Sequence, residues 1–337
     1  MSVGVRKTID ETAETVKAHS TADPVAWLFP GLGSRFVGMG ADIIGKSPAA
    51  DKLITLAAQK LGYDIHEVCF SGSGRKFVPP RIEAQVIYVI NCAYVDVLRS
   101  LGRQPQFVCG HSLGSWAAAY AAGAIDFESG LEMVTAVEDL LEQRIPDGEQ
   151  AMGVIIGLDE ETVTRICADE QYVYLANSNS PKQFVIAGRA VGVDAALEKA
   201  GEQAAKKTQR IAGSRAMHTP LLADVNRELQ TALARITIDD PTIPQMNCDT
   251  ASPMHTAVDV RRYLGQFLQR PVRWEATMHA LGDLSITQFV EVGAAAVLTG
   301  MMPFIDPSAK IETVSDLLAR DETANAIDPT TPVLTDR

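Results

Sequence analysis

The chain has 337 residues, of which 46% are hydrophobic and 21% charged, and its formal net charge is -12 at pH 7. This length suffices for one large or two modest domains, each with its own core. The excess of acidic residues argues against nucleic acid or a membrane as the main partner. No apolar run approaches the roughly 18 residues that a membrane-spanning helix needs.

The first 24 residues are polar and predict a loosely attached N-terminal extension. They contain neither the apolar core nor the cleavage signal of a secretory leader. The five cysteines lie far apart and mostly in apolar runs, which indicates buried free thiols in a reducing compartment. We therefore expect a cytoplasmic protein. No CxxC or HExxH motif occurs, so a zinc site has little support.

Strands and helices alternate in the chain that follows. Residues 25–30 form a short apolar run that predicts a buried strand, and residues 81–101 predict a helix. Residues 106–110 predict a second strand, which leads directly into a predicted helix of small residues over 112–124. Repetition of strand, tight turn and helix is typical of an α/β fold with a mainly parallel sheet.

A different order of elements is predicted for residues 151–213. There the pattern is β-α-β-β-α-β, the order of a ferredoxin-like unit. We expect this unit to be a small domain inserted into a large domain, which residues 25–150 and 214–315 would form. Residues 286–293 predict a late core strand of the large domain, and residues 316–337 predict a polar C-terminal tail.

The sequence GHSLG places Ser112 between Gly110 and Gly114. Three fixed positions are a weak signal, and the alternative is a serine with a purely structural role in a turn. The context is that of a Gly-x-Ser-x-Gly nucleophile elbow, because a strand leads in and a helix leads out. A serine at this helix N-terminus would have the backbone N–H of Leu113 beside it to stabilise an oxyanion.

A serine nucleophile needs a general base, and His218 is our candidate. It lies in a loop where the chain returns from the predicted small domain to the large one, which is a cleft position. The other histidines lie in polar segments, in a predicted turn, in the middle of a predicted helix or, as His111, next to Ser112 with a side chain that must point away from the elbow.

Several motifs in a fixed order extend this interpretation: FPGLGSRFVGMG, GHSLGSWAAAYAAGAIDFESGLEMV, ANSNSPKQFVIAG, MHTPLL, PVRW and FVEVGAAAVLTGM. Together they resemble the motifs of malonyl-CoA:acyl-carrier-protein acyltransferases and of polyketide-synthase acyltransferase domains. The resemblance covers about residues 25–302, and by it the chain is identified as a member of this family. It implies an α/β fold with a large α/β-hydrolase-like domain, which contains a parallel sheet, and the smaller inserted ferredoxin-like domain.

The resemblance implies a catalytic dyad of Ser112 and His218, in which a backbone carbonyl near Phe267 orients the imidazole. It also implies an oxyanion hole formed by the backbone N–H groups of Leu113 and Leu32. The family has glutamine where Leu32 stands, but a main-chain contact can survive that change.

Three polar residues, Gln85, Asn177 and Asn179, match family positions that line the acyl pocket. The two asparagines could equally be turn-forming residues in a connection.

One departure from the family concerns the acyl group. Malonyl and methylmalonyl enzymes hold the substrate carboxylate with an arginine, and a gap-free alignment from the elbow places Val137 there. A buried carboxylate without a partner is costly, so we expect an uncharged acyl group. Arg35 and Arg215 are the alternative arginines. Arg215 begins the segment RAMH, which includes Met217, varies with substrate in the family and here matches neither common version.

The activity that follows is acyl transfer from an acyl-CoA or acyl carrier protein to an acyl carrier protein, through an acyl-serine and without a metal or redox cofactor. A polyketide or related pathway is expected. Alternatives are an acyl hydrolase that acts on carrier proteins, a malonyltransferase that uses another arginine, and a non-catalytic carrier-binding module. We expect a monomer, with residues 206–215 and 261–273 as basic stretches that could dock an acidic carrier protein.

Overall fold

The computed structural model describes residues 24–70 and 78–327. The predicted N-terminal extension and residues 328–337 of the predicted tail lie outside the described residues, apart from residue 24 itself. None of the described helices is both long enough and apolar enough to cross a membrane.

The large domain contains a six-stranded sheet in the order β11-β10-β1-β2-β7-β8. All neighbouring strands run parallel except β7 and β8, which are antiparallel. The strands are β1 (Val25–Phe29), β2 (Phe107–Gly110), β7 (Gln245–Asn247), β8 (Ser252–Met254), β10 (Gln288–Glu291) and β11 (Lys310–Thr313).

Helices pack on this sheet and enclose its core. One of them, α3, runs through the interior and is apolar on nearly every face, as expected of a helix with no solvent side. The helices of the large domain are α1 (Pro48–Leu61), α2 (Ile65–Phe70), α3 (Pro80–Ser100), α4 (Gly114–Ala121), α5 (Phe127–Arg144), α8 (Ala223–Leu233), α9 (Ala257–Leu264), α10 (Trp274–Asp283), α11 (Met302–Ile305) and α12 (Val314–Ile327), together with a 3-10 turn at Pro220–Leu222.

The small domain has the predicted β-α-β-β-α-β order. Its elements are β3 (Gln150–Ile156), α6 (Glu160–Ala168), β4 (Val173–Ser180), β5 (Gln183–Arg189), α7 (Ala190–Glu202) and β6 (Lys207–Ile211). The sheet order β6-β3-β5-β4 is that of a ferredoxin-like unit, so the predicted fold class is confirmed.

A fifth strand joins the small sheet from outside the small domain. It is β9 (Val272–Arg273), which pairs parallel with β4 through Asn177 and Ser178. The chain returns to the large domain before it contributes this strand. The two domains are therefore connected by backbone hydrogen bonds as well as by their linkers.

The C-terminal region differs from its prediction as a polar tail. Helix α12 forms there instead, because Val314 and Leu317 are buried against the large domain and anchor its first turn. All five cysteines are buried free thiols, as the sequence indicated.

Candidate active site

Ser112 lies on a sharp turn between β2 and α4. Its φ of 52° is in the left-handed region, which a non-glycine residue adopts at a cost of order 1–3 kcal/mol. Both flanking glycines are sterically required. A Cβ on Gly110 would lie 2.2 Å from the carbonyl carbon of Gly114, and one on Gly114 would lie 2.1 Å from the carbonyl oxygen of Phe29. The sequence GHSLG therefore fits this backbone, and the turn presents the Ser112 hydroxyl at the helix N-terminus.

The structure brings Ser112 and His218 together from distant parts of the chain. The distance between Ser112 Oγ and His218 Nε2 is 2.7 Å. His218 Nδ1 lies 3.1 Å from the carbonyl oxygens of both Phe267 and Arg270. Since a carbonyl can only accept, Nδ1 carries the proton. In the neutral ring Nε2 is then the unprotonated nitrogen, which can accept the Ser112 hydroxyl proton.

The main chain also fixes His218. Its backbone N–H donates to the carbonyl of Leu268 at 2.7 Å, and its φ is 64°. The loop that carries Phe267, Leu268 and Arg270 thus holds both the backbone and the imidazole of His218. Resemblance to the family implied the carbonyl near Phe267, whereas the second carbonyl, from Arg270, was not expected.

Burial and the nearby His111 lower the pKa of His218 from 6.5 to about 4. Desolvation acts in this direction because it penalises the charged imidazolium. His218 is therefore neutral at pH 7 and in the protonation state that a general base requires.

The two residues predicted to form an oxyanion hole lie on adjacent loops. Leu113 follows the nucleophile directly. The backbone N–H groups of the next two residues, Gly114 and Ser115, donate to the carbonyl groups of His111 and Ser112 within the turn. The loop that carries Leu32 approaches closely, because a Cβ on Gly31 would lie 3.3 Å from the Leu113 nitrogen and 2.6 Å from the carbonyl oxygen of His111. Only glycine permits this approach.

Asn177 and Asn179 lie within β4, which excludes the alternative that they are turn residues. The pairing of β4 with β5 is irregular between Leu175 and Asn177 and again between Ser178 and Ser180, and both asparagine side chains are buried. Asn179 Oδ1 is 2.9 Å from His111 Nε2, so His111 points away from the Ser112 hydroxyl and toward the small domain. Asn177 Oδ1 is buried without a hydrogen-bond partner among the described residues.

A cleft of about 1410 Å³ opens beside this site, between the two domains. Its wall includes Gly33 and Ser34, directly after Leu32, and Ser214 and Arg215, shortly before His218. It also includes Glu138 of α5, which is only 5% exposed. Ser112 and His218 do not themselves line the cleft, but the loops that carry Leu32 and His218 continue into its wall.

The remaining predicted pocket residues are placed differently. Val137 is 1% exposed within the main hydrophobic core, and the residues of α5 that line the cleft are Glu138 and Glu142. Gln85 lines a separate groove, where it bonds Thr135 and Tyr63. Met217 is buried in the core.

Sequence reasoning missed Glu138, although a signal was present. Helix α5 has an apolar stripe that includes Val134 and Leu141, and Glu138 falls on this stripe at helical spacing. A carboxylate on the buried face of an amphipathic helix is unusual enough to mark a candidate site.

The comparisons with known proteins agree with this geometry. Residues 26–331 match the acyl transferase domain family. The malonyl CoA-acyl carrier protein transacylase of Bacillus subtilis is 31% identical over 296 residues, which are 87% of this chain and 93% of that protein.

Two solved structures are similar over most of the chain. The malonyl CoA-acyl carrier protein transacylase of Coxiella burnetii has a TM-score of 0.85 at 31% identity and covers 90% of this chain and 98% of its own. A malonyl-transacylase solved in complex with its type II polyketide synthase acyl-carrier protein has a TM-score of 0.84 at 30% identity. It covers 89% of this chain and 99% of its own. The chain therefore belongs to the acyl transferase domain family, and it is an acyltransferase.

Proposed function

We propose that the protein transfers an acyl group from an acyl thioester to an acyl carrier protein through an acyl-Ser112 intermediate. The observation that carries this proposal is the 2.7 Å contact between Ser112 Oγ and His218 Nε2, in a ring whose Nδ1 proton is held by two carbonyls. With Nδ1 protonated, the neutral ring has a free lone pair on Nε2, which can accept the Ser112 proton as the serine attacks.

In the first half-reaction His218 Nε2 accepts the Ser112 proton while Oγ attacks the thioester carbonyl carbon. The resulting oxyanion is stabilised by the backbone N–H groups of Leu113 and Leu32. The carbon–sulfur bond then breaks, and the leaving thiolate receives the proton from His218. An acyl ester on Ser112 and a free thiol are the products.

The second half-reaction reverses these steps with another thiol. The phosphopantetheine thiol of the carrier protein gives its proton to His218, and its sulfur attacks the acyl-serine carbonyl. Collapse of the second tetrahedral intermediate returns the proton to Ser112 Oγ. No net oxidation occurs: one thioester and one thiol are consumed, and one thiol and one thioester are formed.

An acyl carrier protein is proposed as acceptor because the similar transacylase was solved in complex with its acyl-carrier protein. The predicted basic stretch 206–215 includes exposed side chains of Lys206, Lys207 and Arg210 on and beside β6. Strand β6 is the edge of the small sheet, and Arg210 and Ile211 border the cleft. Positive charge at this rim is suited to an acidic carrier.

An uncharged acyl group is proposed because Val137, at the position of the family's carboxylate-binding arginine, is enclosed in the main core and offers no donor to the cleft. The next residue of α5, Glu138, does line the cleft and is itself an acid, which does not favour a substrate carboxylate beside it.

The intact mass of the protein after exposure to propionyl-CoA tests the intermediate. We expect one added acyl mass on the wild type and on Ser100→Ala, which changes an exposed serine of α3, and none on Ser112→Ala. Acylation that persists in Ser112→Ala would refute the assignment. Rapid loss of the adduct as free propionate in the presence of carrier protein would favour the hydrolase alternative.

A further inference from the structure

Glu138 is a buried carboxylate that the proposed reaction does not use. It lines the cleft, is 5% exposed, and forms no hydrogen bond or ion pair with any other residue that the structure describes. Burial raises its pKa to about 7, against the lowering effect of Arg215. A carboxyl group that faces the cleft without a protein partner is available to a ligand, and above about pH 7 it is an acceptor.

Arg215 is a second incompletely satisfied group on the same wall. Its side chain is 13% exposed, and its Nε is buried without a partner among the described residues. Its Nη2 lies 3.4 Å from Asp147, whose side chain is 99% exposed, and such a pair contributes little. Glu138 and Arg215 influence each other electrostatically but do not form an ion pair with each other.

A ligand that satisfies both groups must carry a hydrogen-bond donor and a hydrogen-bond acceptor on neighbouring atoms. Glu138 offers an acceptor and Arg215 offers an N–H donor. An amide satisfies both, because its N–H donates and its carbonyl accepts, and it adds no net charge to the site. A carboxylate would face Glu138 with a like charge, and a methyl ketone would leave Glu138 without a donor.

We propose that Glu138 and Arg215 bind an amide of the acyl thioester, with the amide N–H donating to the Glu138 carboxylate and the amide carbonyl accepting from Arg215 Nε–H. This inference rests on the proposed function and names a substrate class for it. Two parts of the substrate could supply the amide: the acyl chain itself or the pantetheine arm of the donor. Glu138 and Arg215 are specificity-determining residues in either case.

The acyl arm of the test compares CoA thioesters of equal size. Malonamyl, malonyl and acetoacetyl chains end in an amide, a carboxylate and a methyl ketone, and succinamyl, succinyl and 4-oxopentanoyl chains extend the comparison by one methylene. The rate of Ser112 acylation is followed by intact mass. We expect kcat/KM for the amide to exceed that of the matched ketone by at least about tenfold at one of the two lengths.

The thiol arm compares propionyl-pantetheine with a propionyl thioester of 2-mercaptoethanol, which has no amide. A preference of about tenfold for the pantetheine thioester, without any preference among the acyl chains, would assign the amide to the pantetheine arm. A preference in the acyl arm alone would assign it to the acyl chain.

Substitutions decide whether the two residues cause the preference. Glu138→Leu should reduce the amide-to-ketone ratio to within about twofold, and Arg215→Leu should do the same. Glu132→Leu, which removes an exposed carboxylate of α5 on the separate groove with Gln85, should keep the wild-type ratio. Glu138→Gln removes the negative charge at the same size and adds an N–H donor, so it should raise the rates with the ketone and carboxylate chains and reduce the amide preference.

Ratios near one in the wild type with all chains and both thiols would overturn the proposal, as would a preference that survives both Glu138→Leu and Arg215→Leu. Either result could occur while propionyl-CoA still acylates Ser112, which leaves the proposed function intact. Failure of every thioester to acylate Ser112 would instead refute the proposed function.

Discussion

The protonation of His218 gives the sharpest prediction about the proposed reaction. Because its pKa is about 4, the base stays neutral as the pH is lowered from 7 to 5. We expect the rate of Ser112 acylation under single-turnover conditions to stay nearly constant over this range. Below about pH 4 it should fall tenfold per pH unit as the imidazole is protonated. An imidazole with an ordinary pKa would lose activity with a midpoint near 6.5.

The same pKa has a consequence for stability. Between pH 6.5 and about 4 the unfolded chain binds a proton at His218 that the folded chain does not, so the free energy of unfolding decreases as the pH falls. The difference between 6.5 and about 4 corresponds to roughly 3 kcal/mol once the pH is below both values. Urea denaturation at pH 7, 5.5 and 4 measures this loss.

Two variants isolate the contribution of His218. In His218→Gln the group that titrates is absent, so the loss of stability between pH 7 and 4 should be smaller than in the wild type by a large part of that amount. His279→Gln changes a half-exposed histidine of α10 and should leave the wild-type loss unchanged. An acylation midpoint near 6.5, or equal acid sensitivity of His218→Gln and wild type, would refute the reasoning.

Two further substitutions test the elbow and the acyl pocket. Gly114→Ala would place a Cβ 2.1 Å from the carbonyl oxygen of Phe29, so we expect the free energy of unfolding in urea to fall by about 3 kcal/mol. Gly282→Ala in α10 is the control, because a Cβ there meets nothing within 4 Å and should be neutral or slightly stabilising. Equal effects of the two substitutions would contradict the close approach at Gly114. Glu138→Arg should raise the kcat/KM for malonyl-CoA relative to propionyl-CoA by about tenfold, because it replaces an acid on the cleft wall with a guanidinium that can pair with the substrate carboxylate. Ala136→Arg, which lies on the separate groove with Gln85, is the control, and an equal rise there would contradict the assignment of the acyl group to the cleft.

Much of the fold was accessible from the sequence because its signals are local. The elbow consists of consecutive residues, with an apolar strand, glycines at 110 and 114 and a helix of small residues. The ferredoxin-like order likewise follows from alternating periodicities along residues 151–213. The two-residue strand β9 has no periodicity of its own, and it exists only because β4 offers it a partner.

The candidate site was predicted less completely, and the reason is again physical. His218 could be selected by its position at a domain crossing, but the Arg270 carbonyl that helps to hold it depends on how a loop folds. Val137 was placed by counting along a helix, and only tertiary packing determines that Glu138 faces the cleft instead. The residues that line the cleft come from both domains, so no single segment encodes its shape.

Strand β9 has a mechanical consequence for the enzyme. It begins at Val272, immediately after the loop whose carbonyls at Phe267 and Arg270 hold the imidazole, and it is bonded to Asn177 of the small sheet. If the two domains moved apart, β4 would pull on β9 and displace His218 from Ser112. The alignment of His218 with Ser112 is therefore coupled to the separation of the two domains. If the two domains stay in place, acyl chains of different length would be accommodated by rotation of the side chains that line the cleft.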